Sequence, residues 1–195
     1  MSRDEILDAA AQIFSQKGFH AASMQDIAEA VHLQKGSLYH HVNSKQEILV
    51  TLLDRALDML IERMERVLVQ PLSEDEKLCL AMETYLEGML EHKELAAVLL
   101  LEHRNLDPKH AARHIPRRDR FEQLWRDLIQ DGVDQQIFAQ TDPAMTARAL
   151  LGVLNWTITW YQPEGAYTPS QIASQFSDIF LCGLVRRAVP GNNQT

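Results

Sequence analysis

A chain of 195 residues that is 46% hydrophobic has the apolar material for a packed core and room for one or two domains. Its formal net charge of -8 argues against a polybasic partner for nucleic acid or a membrane surface. Two cysteines far apart, Cys79 and Cys182, exclude a disulfide framework or a four-cysteine zinc site. The first residues show no basic segment followed by an apolar run. The longest apolar stretch, Leu150 to Tyr161, is broken by Asn155, so a cytoplasmic protein without membrane contact is expected.

Apolar periodicity and capping signals predict an all-α chain of about nine helices, over 3–17, 24–31, 35–41, 45–69, 74–90, 93–104, 116–134, 143–161 and 169–187. In the first, Ile6, Ala9, Ala10, Ile13 and Phe14 share a face, and Gly18 ends it. Ser23 to Asp26, Ser44 to Glu47 and Ser73 to Glu76 have the spacing in which a serine caps a helix and an acid three residues on caps back. Asp142 before Pro143 and Thr168 before Pro169 open the last two helices. Short helices thus precede a long fourth one. That order implies a small N-terminal module over 1–47 and a larger helical body over 48–195.

Helix 24–31, with Met24, Ile27, Ala28 and Val31 inward, meets a second short helix, Lys35 to His41, after a tight turn at His32 to Gln34. Two short helices so joined describe a helix-turn-helix, whose second helix can enter a major groove. Gln34 can pair with adenine, and Lys35 can reach guanine acceptors or phosphate. Gly36 permits close backbone approach, while Ser37, Tyr39 and His40 offer polar contacts to phosphate oxygens. Leu38 and Val42 are expected in the core.

The segments Asp26-Ile-Ala-Glu-Ala30 and Lys35-Gly-Ser-Leu-Tyr-His-His-Val-Asn-Ser-Lys-Gln-Glu-Ile-Leu49, with Ile6 to Phe14 and Lys17-Gly-Phe19 upstream, closely resemble the DNA-binding signature of TetR-family transcriptional regulators. The resemblance implies an all-helical homodimer on double-stranded operator DNA, with an effector-binding and dimerisation domain. No cofactor is expected. Carried over by position, Gln34, Lys35, Ser37 and Tyr39 face the groove. Ser23, Tyr39, His40 and Lys45 touch phosphate. His32 stands where the family usually has glycine, and Gln34 where serine or threonine is common. A positive φ at the turn would be borne by histidine at some cost.

In the body, Asn155 to Gly165 followed by Thr168 to Ala173 is similar to a branch of the family that senses fatty acyl-CoA or related thioesters. An acyl-CoA needs an apolar tunnel and cations for its phosphates. Tyr85, Met89, Phe121, Trp125, Trp156 and Trp160, with Asn155, are tunnel candidates, as are Met82, Leu99, Leu124, Leu128 and Leu151. His103, Arg104, Arg117 and Arg118, within a cluster that includes Arg113 and Arg120, are the cation candidates. Ordinary core packing competes for the apolar set, and a solvated face pairing with Asp119, Glu122 and Asp127 competes for the arginines. Trp156, Ile172, Phe176, Ile179, Phe180 and Leu184 are candidates for a dimer interface, against closure of the monomer's own core.

The function expected is a repressor released from its operator by a small hydrophobic effector, an acyl-CoA or fatty acid being the leading class. An aromatic or cationic hydrophobic ligand is the alternative, and a small helical enzyme the minor one. His110 and His114 have the spacing of a metal pair but no convincing third ligand, so no metal site is assigned.

Overall fold

The computed structural model describes residues 2–184, and all the regular elements among them are helical. They are α1 (Arg3–Lys17), α2 (Met24–Ala30), α3 (Lys35–Leu38), α4 (Lys45–Leu68), α5 (Glu74–Glu91), α6 (Lys93–Leu101), α7 (Pro108–Asp134), α8 (Pro143–Trp160) and α9 (Pro169–Leu184). A 3₁₀ turn, His103–Asn105, lies between α6 and α7. The expected continuation of the last helix to residue 187 falls outside the described residues.

The caps act where the spacing puts them. Ser23 and Asp26 cap each other, with Asp26 N–H donating to Ser23 Oγ at 3.1 Å and Ser23 N–H to Asp26 Oδ2 at 2.7 Å. Thr168 and Gln171 do the same at α9. At α4 only half of the box forms: Ser44 Oγ accepts from Glu47 N–H, while the Glu47 carboxylate turns to Asn43 and Arg3. Ser2 and Glu5 form a further reciprocal box at α1, beyond the three expected.

The largest departure is α7, which begins at Pro108 rather than at 116 and carries Pro116 inside it. A proline there removes a backbone donor and crowds the preceding turn, a cost of about 3 kcal/mol in a helix interior. Tertiary contacts hold the two sides in line. Arg113 and His114 before the proline, and Arg117 after it, all bond to Asp54 on α4. Asp107 caps the new start by accepting from His110 N–H.

One hydrophobic cluster runs from Ile6 through Phe14, Leu38 and Ile48 to Trp125, Leu154 and Ala173. The α4 helix feeds both ends of it, from Ile48 and Leu49 under α1 to Leu60 and Met64 in the body. The division expected after residue 47 therefore falls inside α4, so any rotation of that helix moves both parts.

Candidate DNA-binding surface and effector cavity

The turn between α2 and α3 is built on a left-handed residue. His32 has φ 54°, its N–H donates to Glu29 O, and Leu33 N–H reaches back to Ala28 O at 2.8 Å. These two bonds form a Schellman motif, the ending in which glycine is usual. A left-handed conformation costs an ordinary residue about 1–2 kcal/mol, and glycine's greater loss of freedom returns about 0.5–1 of that. His32→Gly should therefore stabilise the fold by a net of about 0.5–1 kcal/mol, read as a higher urea midpoint; a lowered midpoint would show that the imidazole itself contributes to the fold.

Leu38 and Val42 are buried and anchor α3, and Met24, Ile27 and Ala28 of α2 and Val31 at its C-terminal end are buried as well. Gln34, Lys35, Gly36, Ser37, Tyr39 and His40 are all on the outer side of the motif, accessible to solvent. A methyl group at Gly36 would meet nothing within 4 Å, so packing inside the chain does not require glycine there. Ser23 is exposed at the cap of α2.

Lys45 is placed differently from the expected phosphate contact. Its ammonium turns inward, donating to Phe19 O at 2.7 Å and Ala22 O at 2.6 Å, and it lies 4.4 Å from the centroid of the Phe19 ring. The side chain thereby ties the start of α4 to the loop between α1 and α2. Lys17 is paired with Asp26 and Arg3 with Glu47. Among the described residues, Lys35 alone of the four cations in residues 1–50 has no ion pair or hydrogen bond from its side chain within the chain.

The same loop is tied to the body. Phe19 N–H donates to Glu102 Oε2 at 3.2 Å, and His20 bonds Asn105 Oδ1 at 2.9 Å. The Gln46 carboxamide bridges Asn105 O and Asp107 N–H at 2.8 and 3.1 Å. The 3₁₀ turn thus clamps the head of α4 and the α1–α2 loop together.

A cavity of about 260 Å³ opens directly behind this clamp. Leu57 of α4, Tyr85 of α5, Leu99 and Leu100 of α6, Phe121 of α7 and Leu151 of α8 give it apolar walls. Its polar groups are His103, His114, Arg118, Glu122 and Asn155. Tyr85 donates to Asn155 Oδ1 and stacks on Phe121 with centroids 5.8 Å apart, while Trp125 meets both rings edge-on beneath. Burial pushes the Tyr85 hydroxyl well above the ordinary phenol range, so it remains a donor. His103 is held below the usual imidazole value, first by burial and then by the Arg104 and Arg118 charges, which outweigh its bond to Leu99 O.

The cavity brings together Tyr85, His103, Arg118, Phe121 and Asn155 of the expected effector residues, with Leu99 and Leu151. It does not include the others. Met89 and Trp125 are core, at 2% and 0% exposure, and Arg104 lies exposed outside. Trp156 and Trp160 point outward instead, at 67% and 44% exposure. Arg117 is engaged by α4, bonding Asp58 Oδ1 at 3.1 Å and Asp54 Oδ2 at 3.4 Å. The arginine cluster pairs chiefly across to α4, with Arg113 on Asp54 and Arg120 on Glu65, rather than with the local acids of the competing reading; among the described residues, Arg118, on Asp119, stays within α7.

Leu57, Leu100, His114 and Glu122 were missed as lining residues. The signal for His114 was present, since positions 114, 118, 121, 125 and 128 form one helical stripe, but Pro116 disguised the continuity of α7. His110 bonds Asp107 and His114 bonds Asp54. Among the described residues no group of three or more His, Cys, Asp or Glu is arranged to hold a metal ion, and no helix is long and apolar enough to cross a membrane.

On the outside of α8, Met145, Val153, Trp156 and Trp160 form an exposed apolar stripe, and Ile179 of α9 is 68% exposed. Phe176 and Phe180 are half-buried. Ile172, also expected at an interface, is 4% exposed within the chain's own core, where α9 packs on α5. The side chain of Leu184 lies outside the described part of the chain.

Residues 6–63 match the bacterial regulatory proteins of the tetR family, and residues 71–184 a tetracyclin repressor-like C-terminal domain. The HTH-type transcriptional repressor KstR2 of Mycobacterium tuberculosis H37Rv is 27% identical over 189 residues, or 96% of this chain and 94% of that protein. The TetR family transcriptional regulator PfmR from Thermus thermophilus has a similar structure, with a TM-score of 0.85 at 36% identity, covering 93% of this chain and 99% of that one. AibR, solved in complex with isovaleryl coenzyme A and operator DNA, gives a TM-score of 0.84 at 25% identity over 91% of this chain and 96% of its own.

Proposed function

The chain belongs to the TetR family of DNA-binding transcriptional regulators, and from that premise we propose that it is a homodimeric repressor released from its operator by an acyl-CoA thioester. The enzyme alternative falls with that membership. The observation that carries the effector reading is the cavity, which combines apolar walls with Arg118 and His103 among its polar groups. AibR, of similar fold, was solved with such a thioester.

Size narrows the class. A cavity of about 150 Å³ takes benzene, so 260 Å³ suits a short or medium acyl chain, with the coenzyme's nucleotide reaching out through the mouth. The phosphates then stay outside, where Arg118 is half exposed and, among the described residues, held only by its neighbour Asp119. The DNA surface is the exposed side of α3, with Gln34 and Lys35 on base edges and Ser23, Ser37, Tyr39 and His40 on phosphate. Two such surfaces in a dimer reach successive major grooves when about 34–36 Å apart.

The clamp supplies the connection. Leu99, Leu100 and His103 line the cavity, and Glu102 and Asn105 beside them hold the α1–α2 loop and Gln46. A chain wedged between α6 and α7 displaces that turn and tilts α4. The effect is limited to the effector's preference for the tilted state, commonly about 1–3 kcal/mol.

Thermal shift and operator anisotropy with a series from acetyl- to palmitoyl-CoA test this. Stabilisation and operator release should both peak at short-to-medium chains. Arg118→Ala should weaken the thioesters about tenfold, the value of one charge-assisted phosphate contact, and leave the matching free acids unchanged. Absence of any shift with every thioester overturns the acyl-CoA reading, and an equal response to free acids reassigns the effector to fatty acids.

A further inference from the structure

The wall of the cavity contains a buried polar atom without a partner among the described residues. His114 is 3% exposed, lines the cavity, and its Nε2 has no hydrogen-bond partner among the described residues. Its other nitrogen, Nδ1, lies 3.3 Å from Oδ1 of Asp54 on α4. Asp54 is itself 4% exposed, and its second oxygen is held by Arg113 at 2.7 Å and Arg117 at 3.4 Å.

This arrangement decides the tautomer. Burial raises the Asp54 carboxyl, but the His114 bond and the Arg117 and Arg113 charges outweigh it and hold the group below the usual carboxylate range. An ionised carboxylate only accepts, so Nδ1 carries a proton, and in the neutral ring Nε2 carries none. The Nε2 lone pair is then an unpaired acceptor enclosed in the cavity wall, where a small turn of the ring brings it to a bound ligand. Leaving such a group unpaired is costly, and a ligand that donates to it recovers that cost.

We propose that His114 Nε2 accepts a hydrogen bond from a hydroxyl or amide N–H of the effector, and that Asp54 transmits this contact to α4. Donation to Nε2 draws electron density from the ring and makes Nδ1–H a stronger donor. The Nδ1–Oδ1 separation of 3.3 Å is longer than the usual ~2.9–3.0 Å, so the pair has room to shorten. Shortening draws the middle of α4 toward α7, and the head of α4 carries Lys45 and Gln46 with it. Effectors are thereby sorted by a donor inside the cavity as well as by chain length. The inference rests on the cavity being the effector site, and it does not require that the effector be a thioester.

The probes are 1-octanol and heptyl methyl ether, isomers of equal apolar size that differ in the donor. In the full-length protein labelled with ¹⁵N-histidine, His114 should show the Nδ1–H tautomer before any ligand is added. Octanol should move the Nε2 resonance and weaken operator binding about fivefold or more, within the usual range of coupling, and the ether should do neither. In His114→Phe the two probes should act alike. In Asp54→Asn, octanol should still stabilise the protein but no longer weaken operator binding. A proton on Nε2 in the free protein, whether as the other tautomer or as the imidazolium, or equal effects of the two probes on wild type, overturns the proposal whether or not the variants fold. If thioesters have no effect while octanol moves His114, the acyl-CoA reading falls and this one stands.

Discussion

Replacing Lys45 by alanine should remove about 2 kcal/mol of stability and weaken operator binding without changing its salt dependence. The ammonium makes two short bonds to the Phe19 and Ala22 carbonyls, and hydrogen bonds to charged groups are worth about 1.5–3 kcal/mol each before discounting for partial exposure. Losing them frees the loop that orients α1 against α2, so the recognition helix loses its fixed position. A lysine that neutralised phosphate would behave otherwise, because each such contact releases counterions and adds about 1 to the slope of log K against log salt. Lys35→Ala is the control. It should leave thermal stability unchanged and lower the slope by about 1 for each protomer. A lowered slope in Lys45→Ala, with unchanged stability, would return Lys45 to the DNA surface. Lys45→Met separates packing from charge, since its stem still covers the Phe19 ring.

Trp156→Glu combined with Ile179→Glu should convert the proposed homodimer to a monomer and weaken operator binding by about 10²–10⁴-fold, the gain ordinarily supplied by linking two binding modules. Met145, Val153, Trp156 and Trp160 recur at helical spacing on the outside of α8, with Trp156 67% exposed. Contiguous apolar faces of that kind mark interaction surfaces. A two-fold axis beside α8 and α9 would cover them in a four-helix arrangement. Carboxylates placed opposite their own symmetry mates at such an interface would be desolvated and would repel. Sedimentation velocity reads the assembly directly, and a variant that remains dimeric moves the interface elsewhere. Ile172→Glu provides the contrast. That residue is in the monomer's core, so its replacement should unfold the chain rather than dissociate it.

The charge of -8 that first argued against nucleic acid is explained by where the few cations point. Residues 1–50 contain Arg3, Lys17, Lys35 and Lys45 against six acids. Three of the four cations are bonded inside the chain, to Glu47, Asp26 and the Phe19 and Ala22 carbonyls. One unpaired lysine among the described residues of 1–50 predicts weak non-specific binding and dependence on both halves of the proposed dimer. In the body, the arginines that stood out as phosphate candidates are mostly engaged by Asp54, Asp58 and Glu65 on α4.

Much of the fold was legible because its signals are local. A capping serine and its returning acid are three residues apart, a buried stripe repeats every three or four, and the turn at His32 is defined by bonds spanning about five residues or fewer. The helix-turn-helix, its inward residues Ile27, Leu38 and Val42, and the family itself follow from such patterns. What the tertiary structure decided depends on residues about 25 to 70 positions apart. Examples are Lys45 reaching Phe19 and Ala22, Asp54 gathering Arg113, His114 and Arg117, Tyr85 meeting Asn155, and Ile172 turning into the core instead of toward a partner. A long cationic side chain fits an internal carbonyl or a solvent-exposed phosphate equally well by type. A proline reads as an interruption until neighbouring helices hold both sides of it in line. Residue identity and spacing set what each segment can form, and the packing of α4 against α1, α6 and α7 sets which charges remain free and which side chains enclose the cavity.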